Sequence, residues 1–392
     1  MTTSASNEGP VSRWAIPTLL CASSLPILAG ALVAPALPGI QSAFADVEGV
    51  GLWSRLMLTV PALAVALIAL SAGWLVDAIG RRRTLVYGLV IYGVAGTSGL
   101  WLGSLHALLV GRLALGIGVA FIMTSATTLL ADLVPGAARQ RIMGIQAAFI
   151  GMGGLVFLLI GGALAEISWR WPFAVYGASW LVVLPALKSL PTGAKSGGQG
   201  RTPWGITPAL LARCAAATLS MVLFYTVPVQ LPFLLLDRFD TGGFASGAAI
   251  GVITLTSSSA SLLYPKVRAK MDPAPMLALT FLLMGPGLML IGADLGWTGV
   301  IVGLLVMGAG MGLLMPNLTT WTAEQASLAQ RGRHMGALTM ALFTGQFTSP
   351  LVTRPLQDSG AGTIFVVGGA TALVASLVIA LVGKRAGRAA LT

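Results

Sequence analysis

Twelve long apolar runs, recurring about every 30 residues, constrain this chain more than any other feature of its sequence. Each run is long enough to cross a bilayer as a helix of about 20 residues. A membrane-spanning β-strand would instead alternate apolar and polar residues over about ten positions. We therefore predict an all-α membrane protein with twelve transmembrane helices, called spans 1 to 12. The predicted spans are 15–38, 54–76, 84–103, 108–131, 142–164, 172–190, 209–234, 245–266, 274–293, 297–318, 334–356 and 363–383.

The composition excludes an ordinary soluble enzyme. Of the 392 residues, 56% are hydrophobic and 9% are charged, whereas soluble domains carry about 25% charged residues. The net charge of +11 comes from small basic groups between apolar runs, so we expect no nucleic-acid partner. Two cysteines and two histidines are too few and too separated for a metal cluster, and we predict neither a metal nor a cofactor. The expected partners are the lipid bilayer and a small-molecule substrate, with the protein as a monomer.

The basic residues predict the orientation in the membrane. If the spans alternate in direction, 18 of the 23 lysines and arginines fall on one side. Cytoplasmic loops carry such an excess of basic residues. We therefore predict a multi-pass protein of the cytoplasmic (inner) membrane with both termini in the cytoplasm.

An internal repeat divides the chain into two halves of six spans. A shift of 192 residues aligns Asp132 with Glu324 and Arg139 with Arg331, without a gap. A polar, glycine-containing stretch lies between the halves and reads as a flexible linker. The predicted units are a tail at 1–14, a bundle at 15–190, a linker at 191–208, a bundle at 209–383 and a tail at 384–392.

The connection between spans 2 and 3 carries a specific motif. It reads Gly73-Trp-Leu-Val-Asp77-Ala-Ile-Gly80-Arg81-Arg82-Arg83 and resembles the loop signature of the major facilitator superfamily, G-x-x-x-D-x-x-G-R-[RK]-[RK]. The resemblance implies two pseudo-symmetric six-helix bundles around a central cavity that work by alternating access. It also implies that Gly73, Asp77, Gly80, Arg81 and Arg82 form a cytoplasmic gating motif, in which Asp77 and Arg81 latch the two halves together.

Partial motifs point to the twelve-span drug and metabolite proton antiporters of that superfamily. The pair Pro35 and Pro38 at the end of span 1 resembles their sequence, as do the closing glycines of span 5. In their span-4 signature, the residue at Arg112 is implicated in proton coupling; the alternative here is an arginine that snorkels to the interface. Glycines of span 5 and the serines of span 8 favour a close packing seam between these helices, with a polar wall of a substrate path as the alternative for the serines. The predicted packing residues are Gly151, Gly154, Gly161, Gly162 and Pro350.

Polar residues inside the spans are the candidates for substrate binding or coupling, because polar groups are costly in the bilayer. These are Arg55, Arg112, Tyr225, Gln230, Asn317, Gln346 and Arg354. The amides have an alternative role as contacts between helices. The three arginines suggest a cavity of positive potential, suited to an anionic or zwitterionic substrate.

Acidic residues are missing from the middle of every predicted span, although a proton-coupled carrier needs a group that titrates. The nearest candidates to carry a proton are Glu166, Asp237 and Asp46, all near outer span ends where solvated loop acids are common. Coupling to a proton gradient therefore depends on the family resemblance.

We predict a secondary active transporter that exports a drug or secreted metabolite in exchange for protons. An importer or facilitator of a small organic anion is the alternative, favoured by the incomplete span-5 motif and the acid-free spans. A membrane-embedded enzyme or a transporter-derived receptor is a further alternative, disfavoured because the chain has neither clustered catalytic residues nor a sizeable soluble region.

Overall fold

The computed structural model describes residues 12–134, 137–191, 207–327 and 330–389. Within them the chain is almost entirely helical, and twelve helices follow the order predicted from the sequence. Nine of these helices are both long enough and apolar enough to cross a membrane. The other three, spans 3, 6 and 11, are shorter or more polar but take their places in the same order. The long spans without interruption are span 4 (Leu105–Leu133), span 5 (Ala137–Ile167), span 7 (Pro208–Phe239), span 8 (Gly243–Arg268), span 9 (Pro273–Gly292), span 10 (Gly296–Gln325), span 11 (Arg331–Thr353) and span 12 (Ala361–Ala389).

The remaining spans of the first half are interrupted or short. Span 1 (Ala15–Ala31) continues through a 3-10 turn, Ala34–Ala36, into a short helix, Leu37–Ala43. Span 2 (Val50–Ala69) is followed by a separate helix, Ala72–Ile79, and span 3 is Arg81–Thr97. Span 6 (Ser179–Ser189) is preceded by a 3-10 segment, Trp171–Ala178. Proline explains the break in span 1, because Pro35 cannot donate the backbone hydrogen bond that would continue the helix.

Several predicted boundaries differ from the structure. Span 2 was predicted to run to residue 76, but the helix breaks after Ala69, and the gating motif begins on the separate short helix. The predicted tail at 384–392 is helical as far as Ala389. Most of the predicted linker, residues 192–206, lies outside the described residues, as do residues 1–11 of the N-terminal tail.

The packing of each half repeats in the other half. Span 3 packs on spans 4 and 6, and span 9 packs on spans 10 and 12 in the same way. The glycines at this contact are equivalent under the 192-residue shift. A Cβ added to Gly118 would meet the backbone of Gly88, and one added to Gly310 would meet the carbonyl of Thr280. This agrees with the internal repeat seen in the sequence.

The two halves meet along two seams. Span 5 packs against span 8, and span 2 packs against span 11. We call the membrane face that carries Gly80 and Arg331 the basic face, and the face that carries Gly49 and Gly360 the opposite face. Near the opposite face, the short helix after span 1 also contacts span 7. The halves are therefore held together most completely at the opposite face.

Candidate functional site

A buried arginine connects the two halves near the opposite face. Arg55 of span 2 is 9% exposed, and its Nε donates a hydrogen bond to Oε1 of Gln230 on span 7 over 2.9 Å. Its Nη1 donates to Oε1 of Gln41 over 3.2 Å and to the Gly51 carbonyl over 2.6 Å. The ring centre of Phe233 lies 4.0 Å from the guanidinium carbon. The arginine thus reaches from the first half into the second.

Gln230 extends this contact to a fourth helix. Its side chain is fully buried, and its Nε2 donates to Oγ1 of Thr353 on span 11 over 3.3 Å. Gln41, Arg55, Gln230 and Thr353 therefore join spans 1, 2, 7 and 11, and we call these four residues the inter-half network. Since Gln230 sits at its centre, separating the halves at this face would break the Arg55–Gln230 bond.

The charge of Arg55 has only neutral acceptors in the network. Every carboxylate whose side chain the structure describes is exposed. The two ion pairs among the described residues, Arg81 with Asp132 and Arg268 with Glu324, both lie at the basic face. A buried cation attracts an anion more strongly than it attracts an amide oxygen. Arg55 is thus placed to bind an anion.

Arg112, the candidate for proton coupling, is tied instead to backbone carbonyls of its own half. The residue is 1% exposed, and its Nε donates to the Met57 carbonyl over 2.9 Å. This carbonyl lacks a partner in its own helix because residue 61 is proline, which has no N–H. Its other nitrogens bind the hydroxyl of Tyr176 and the Ala29 carbonyl. Arg112 therefore satisfies acceptors that Pro61 of span 2 and the break in span 1 leave without a helical donor, and it does not snorkel.

The predicted seam between spans 5 and 8 is present. A Cβ added to Gly162 would meet the backbone of Gly243 and Phe244, and one added to Gly151 would lie 3.4 Å from the Ser258 hydroxyl. Gly154 packs against Ile27 of span 1, with Thr254 of span 8 also close, and Gly161 packs against the backbone of Leu32. Hydroxyls along span 8 bond back to their own helix, as Thr256 does to Val252 over 2.9 Å. The same holds for Thr254, Ser257 and Ser259, which favours packing over a substrate path for these residues.

The seam ends before the basic face. Gly144 lies two turns from Gly151 on the same side of span 5, because seven residues make about two helical turns. A Cβ at Gly144 would meet nothing within 4 Å. On span 8, Pro265 lies seven residues beyond Ser258 and is exposed. Spans 5 and 8 thus touch toward the opposite face and separate toward the basic face.

The remaining polar candidates occupy different surroundings. Asn317 is fully buried, and its Nδ2 donates to the Pro273 carbonyl over 2.9 Å, so it joins spans 9 and 10 within one half. Gln346 is partly exposed on span 11. One side of this helix contacts span 7 and another contacts span 2. Gln346 lies between these two sides and faces the centre. Tyr225 is partly buried on span 7, with its ring 5.5 Å from that of Phe224.

Arg354 is separated from the other cavity candidates. It is exposed and begins the 3-10 turn Arg354–Ser359 after span 11. Of the three arginines proposed to line a positive cavity, Arg112 donates hydrogen bonds to backbone carbonyls and Arg354 is exposed. Arg55 alone among these three connects the halves. Pro350 is buried in span 11, and the adjacent Ser349 hydroxyl donates to the Val222 carbonyl of span 7 over 2.8 Å.

The three acidic candidates are all exposed near the opposite face. Asp46 lies in the connection before span 2, and Asp237 lies in the last turn of span 7. Glu166 is different, because its Oε1 accepts a hydrogen bond from the backbone N–H of Phe244 over 3.2 Å. This bond joins the end of span 5 to the first turn of span 8. Glu166 is therefore the one of these three that bridges the halves.

The gating motif makes its described contacts within the first half. Gly80 has φ +96°, in the region that favours glycine, and it turns the chain between the helix Ala72–Ile79 and span 3. Arg81 pairs with Asp132 of span 4, and Arg82 donates to the Leu187 carbonyl of span 6. Gly73 and Asp77 lie on the short helix, but their side-chain environment is outside the described part of the structure. The ion pair of Arg81 thus lies within the first half, and the part of the predicted latch that Asp77 would make falls outside the described residues.

The second half has a similar ion pair at the basic face, which the sequence motif does not predict. Arg268, the last residue of span 8, lies 3.4 Å from Glu324 at the end of span 10. The 192-residue shift had already aligned Glu324 with Asp132, and that match was the available signal. Gln41, Phe233 and Thr353 were also missed, because their roles depend on contacts across the halves that the sequence pattern does not encode.

Comparison with known proteins places the chain in a family. Residues 19–350 match the Major Facilitator Superfamily. The multidrug efflux protein YfmO of Bacillus subtilis is 27% identical over 387 residues, covering 96% of this chain and 94% of that protein. The puromycin resistance protein pur8 of Streptomyces alboniger is 31% identical over 199 residues, and that alignment spans 50% of this chain and 39% of the relative's length.

A solved structure agrees with the fold. The crystal structure of the human organic anion transporter MFSD10 superposes with a TM-score of 0.66 at 22% identity, covering 95% of this chain and 100% of that one. The family match covers most of the sequence and agrees with twelve helices in two repeated halves. This chain belongs to the Major Facilitator Superfamily.

Proposed function

We propose that this multi-pass membrane protein is a secondary active transporter that exports a small molecule by alternating access. The observation that carries the proposal is the asymmetry between the two faces. The inter-half network and the seam from Gly162 to Gly151 hold the halves together toward the opposite face, while spans 5 and 8 separate toward the basic face. Such an arrangement is one of the two states that alternating access requires.

The orientation follows from the positive-inside rule. The basic face carries most of the lysines and arginines, so we assign it to the cytoplasm of the inner membrane, together with both termini. The conformation described above is then open to the cytoplasm between spans 5 and 8, while span 11 still meets span 2 at that face, where a Cβ on Gly336 would lie 3.3 Å from the Ala69 carbonyl. A substrate would enter from there and leave at the opposite face after the inter-half network separates.

Export and proton coupling are supported by relatives and by resemblance. YfmO is named as a multidrug efflux protein and pur8 as a puromycin resistance protein. The transported molecule would be a drug or a secreted metabolite, with a proton gradient as the driving force and no bound cofactor. Glu166 is the best placed of the acidic candidates, because its bond to Phe244 must break when the halves separate. We propose that the protein acts as a monomer, since each repeated half supplies one side of both seams.

The test uses purified protein in liposomes with an imposed pH gradient. Puromycin is added as the probe, and proton movement is followed with a pH-sensitive dye in the lumen. Coupled transport predicts proton flux that begins on addition of puromycin and is absent from empty liposomes. Puromycin transport that continues at the same rate after the gradient is collapsed would refute proton coupling. Absence of transport for puromycin and for a panel of other drugs would refute drug export.

A second candidate is the facilitated passage or import of a small organic anion. Two observations favour it: the described carboxylates are all exposed, and the buried charge that connects the halves is the cation Arg55. The same liposomes separate the candidates. Uptake of an anion down its own gradient, with no proton flux, would support the facilitator and contradict the antiporter.

A further inference from the structure

We propose that Arg55 is the recognition site for a small organic anion, and that binding of this anion opens the inter-half network, which we call the gate at the opposite face. The anion would replace the carboxamide oxygens of Gln230 and Gln41 on the guanidinium. This inference rests on the proposed transport function, but it holds for either direction of transport. It assigns a substrate class and a trigger to the inter-half network.

The first step concerns what Arg55 lacks. A buried guanidinium is costly unless its charge is compensated. Arg55 has two carboxamide oxygens, one backbone carbonyl and the ring of Phe233 around it, and the described carboxylates are all exposed elsewhere. A carboxylate bound to arginine makes shorter and stronger hydrogen bonds than an amide does, often in pairs. An incoming organic anion would therefore displace the two glutamines.

The second step compares Arg55 with Arg112. Both are buried in the first half, but Arg112 binds the Met57 carbonyl, which has no N–H donor in its own helix, and the Ala29 carbonyl, which it shares with the Tyr176 hydroxyl. Displacing Arg112 would leave the Met57 carbonyl unsatisfied. The partners of Arg55 across the halves are side chains, which can rotate away and find other donors. Arg55 is thus the exchangeable arginine, whereas Arg112 is fixed.

The third step concerns the consequence for the gate. Gln230 receives the bond from Arg55 and donates to Thr353, so its side chain links Arg55 of the first half to span 11 of the second half. When an anion takes its place on Arg55, the bond between the halves is lost. The anion stays on the first half, and the opposite face is free to open. Substrate binding would in this way lower the barrier to outward opening.

The approach to Arg55 is from the basic face. Gln346 faces the centre and lies seven residues before Thr353, about 10 Å along span 11 toward the basic face. It would meet an anion before Arg55 does. Phe233 lies against the guanidinium and is three residues beyond Gln230 on span 7, toward the opposite face. Its ring would separate the bound anion from the opposite face while the gate is closed.

The first experiment measures binding to the purified full chain. The probes share one skeleton and differ in charge: 3-phenylpropanoate, 3-phenylpropylamine and 3-phenylpropanol. Calorimetry is expected to detect the carboxylate with at least tenfold higher affinity than either other probe, because hydrogen bonds between two charged groups are stronger than those to a neutral group. Arg55→Gln should remove this preference. Arg55→Lys should keep part of it, since the charge remains but the paired geometry is lost.

The matched control is Lys266→Gln, which removes one positive charge from an exposed residue of span 8. It should bind the carboxylate like the wild type. Gln230→Leu keeps Arg55 and covers the case in which Arg55→Gln fails to fold; it should bind the carboxylate as well as or better than the wild type. Equal affinity for all three probes, or undiminished carboxylate binding by Arg55→Gln, would overturn the inference.

The second experiment follows the gate. Spin labels replace the exposed residues Glu48 and Asp358. These positions are close in sequence to Gly51 and Gln357, which are neighbours across the halves. Cys21 and Cys214 are first changed to serine. Adding 3-phenylpropanoate should lengthen the distance between the labels. Gln230→Leu should lengthen it without the probe, and Gln230→Glu should keep it short even with the probe, because the new carboxylate would itself neutralise Arg55. A distance that ignores both the probe and these variants would refute the trigger.

The outcomes distinguish this inference from the proposed function. If the wild type transports puromycin but neither binds the carboxylate nor opens with it, transport stands and the role of Arg55 falls. If the carboxylate binds and opens the gate but no probe crosses the membrane, the recognition site stands and the transport function falls.

Discussion

Removing Arg112 should destabilise the protein through one identifiable carbonyl group. In Arg112→Met, the Met57 carbonyl loses the donor that lies 2.9 Å away, and Pro61 cannot replace it. The Ala29 carbonyl keeps the hydroxyl of Tyr176 as a donor at 3.2 Å. A buried unsatisfied acceptor costs about 1–3 kcal/mol. We expect the free energy of unfolding to fall by at least that amount.

A second substitution isolates this contribution. Pro61→Ala restores a backbone N–H four residues after Met57, so the helix can satisfy the carbonyl itself. In that background Arg112→Met should cost about 1–3 kcal/mol less than it costs alone. Pro286→Ala is the matched control, because it removes a proline from span 9 of the other half. Its effect should add to that of Arg112→Met without coupling.

The assay is denaturant-induced unfolding in mixed micelles, followed by the fluorescence of the 10 tryptophans. Four proteins complete the cycle: the wild type, each single variant and the double variant. If the effects of Pro61→Ala and Arg112→Met are additive within about 0.5 kcal/mol, the carbonyl explanation is wrong. A loss of proton coupling with unchanged stability would instead favour the role that the family resemblance implies for this arginine.

Three further predictions concern the contacts between helices. Gly162→Val should abolish transport while expression persists, because a Cβ there meets the backbone of span 8; Gly144→Val, with open space around it, should retain transport. Glu324→Gln should lower the free energy of unfolding by at most about 1 kcal/mol in the micelle assay, since its pair with Arg268 is exposed; a larger loss would mean that this pair holds the fold. Glu166→Ala should lengthen the label distance at the opposite face, because the first turn of span 8 loses its acceptor; an unchanged distance would remove Glu166 from the gate.

Much of the fold could be predicted from the sequence because the bilayer imposes it. Apolar runs of about 20 residues must become helices when no water satisfies their backbone, and the twelve helices follow in the predicted order. The repeat of 192 residues predicted the two halves and matched Asp132 with Glu324, which the structure places in similar ion pairs. The glycines of span 5 predicted a close contact because small residues let helices approach.

The candidate site was predicted only in part. The sequence selected Arg55 and Gln230 as polar residues inside spans, but it treated them like Asn317, which joins two helices of one half. It also grouped Arg55 with Arg112 and Arg354, although one is bonded to carbonyls and the other is exposed. Side chains of the same type differ in function according to what lies opposite them, and residues 55 and 230 are far apart in the chain.

The sequence by itself determined that the chain spans the membrane in twelve helices, with two repeated halves and a basic face, because length, hydropathy and charge act locally along the chain. Only the tertiary structure decided which buried arginine bonds to backbone carbonyls of its own half and which bonds to a side chain across the halves. The two arginines differ in their partners. Arg112 donates to carbonyls that Pro61 and the break in span 1 leave without a backbone donor, whereas Arg55 donates to the Gln230 side chain across the halves. Contacts between distant segments arise from packing, and no local pattern specifies them.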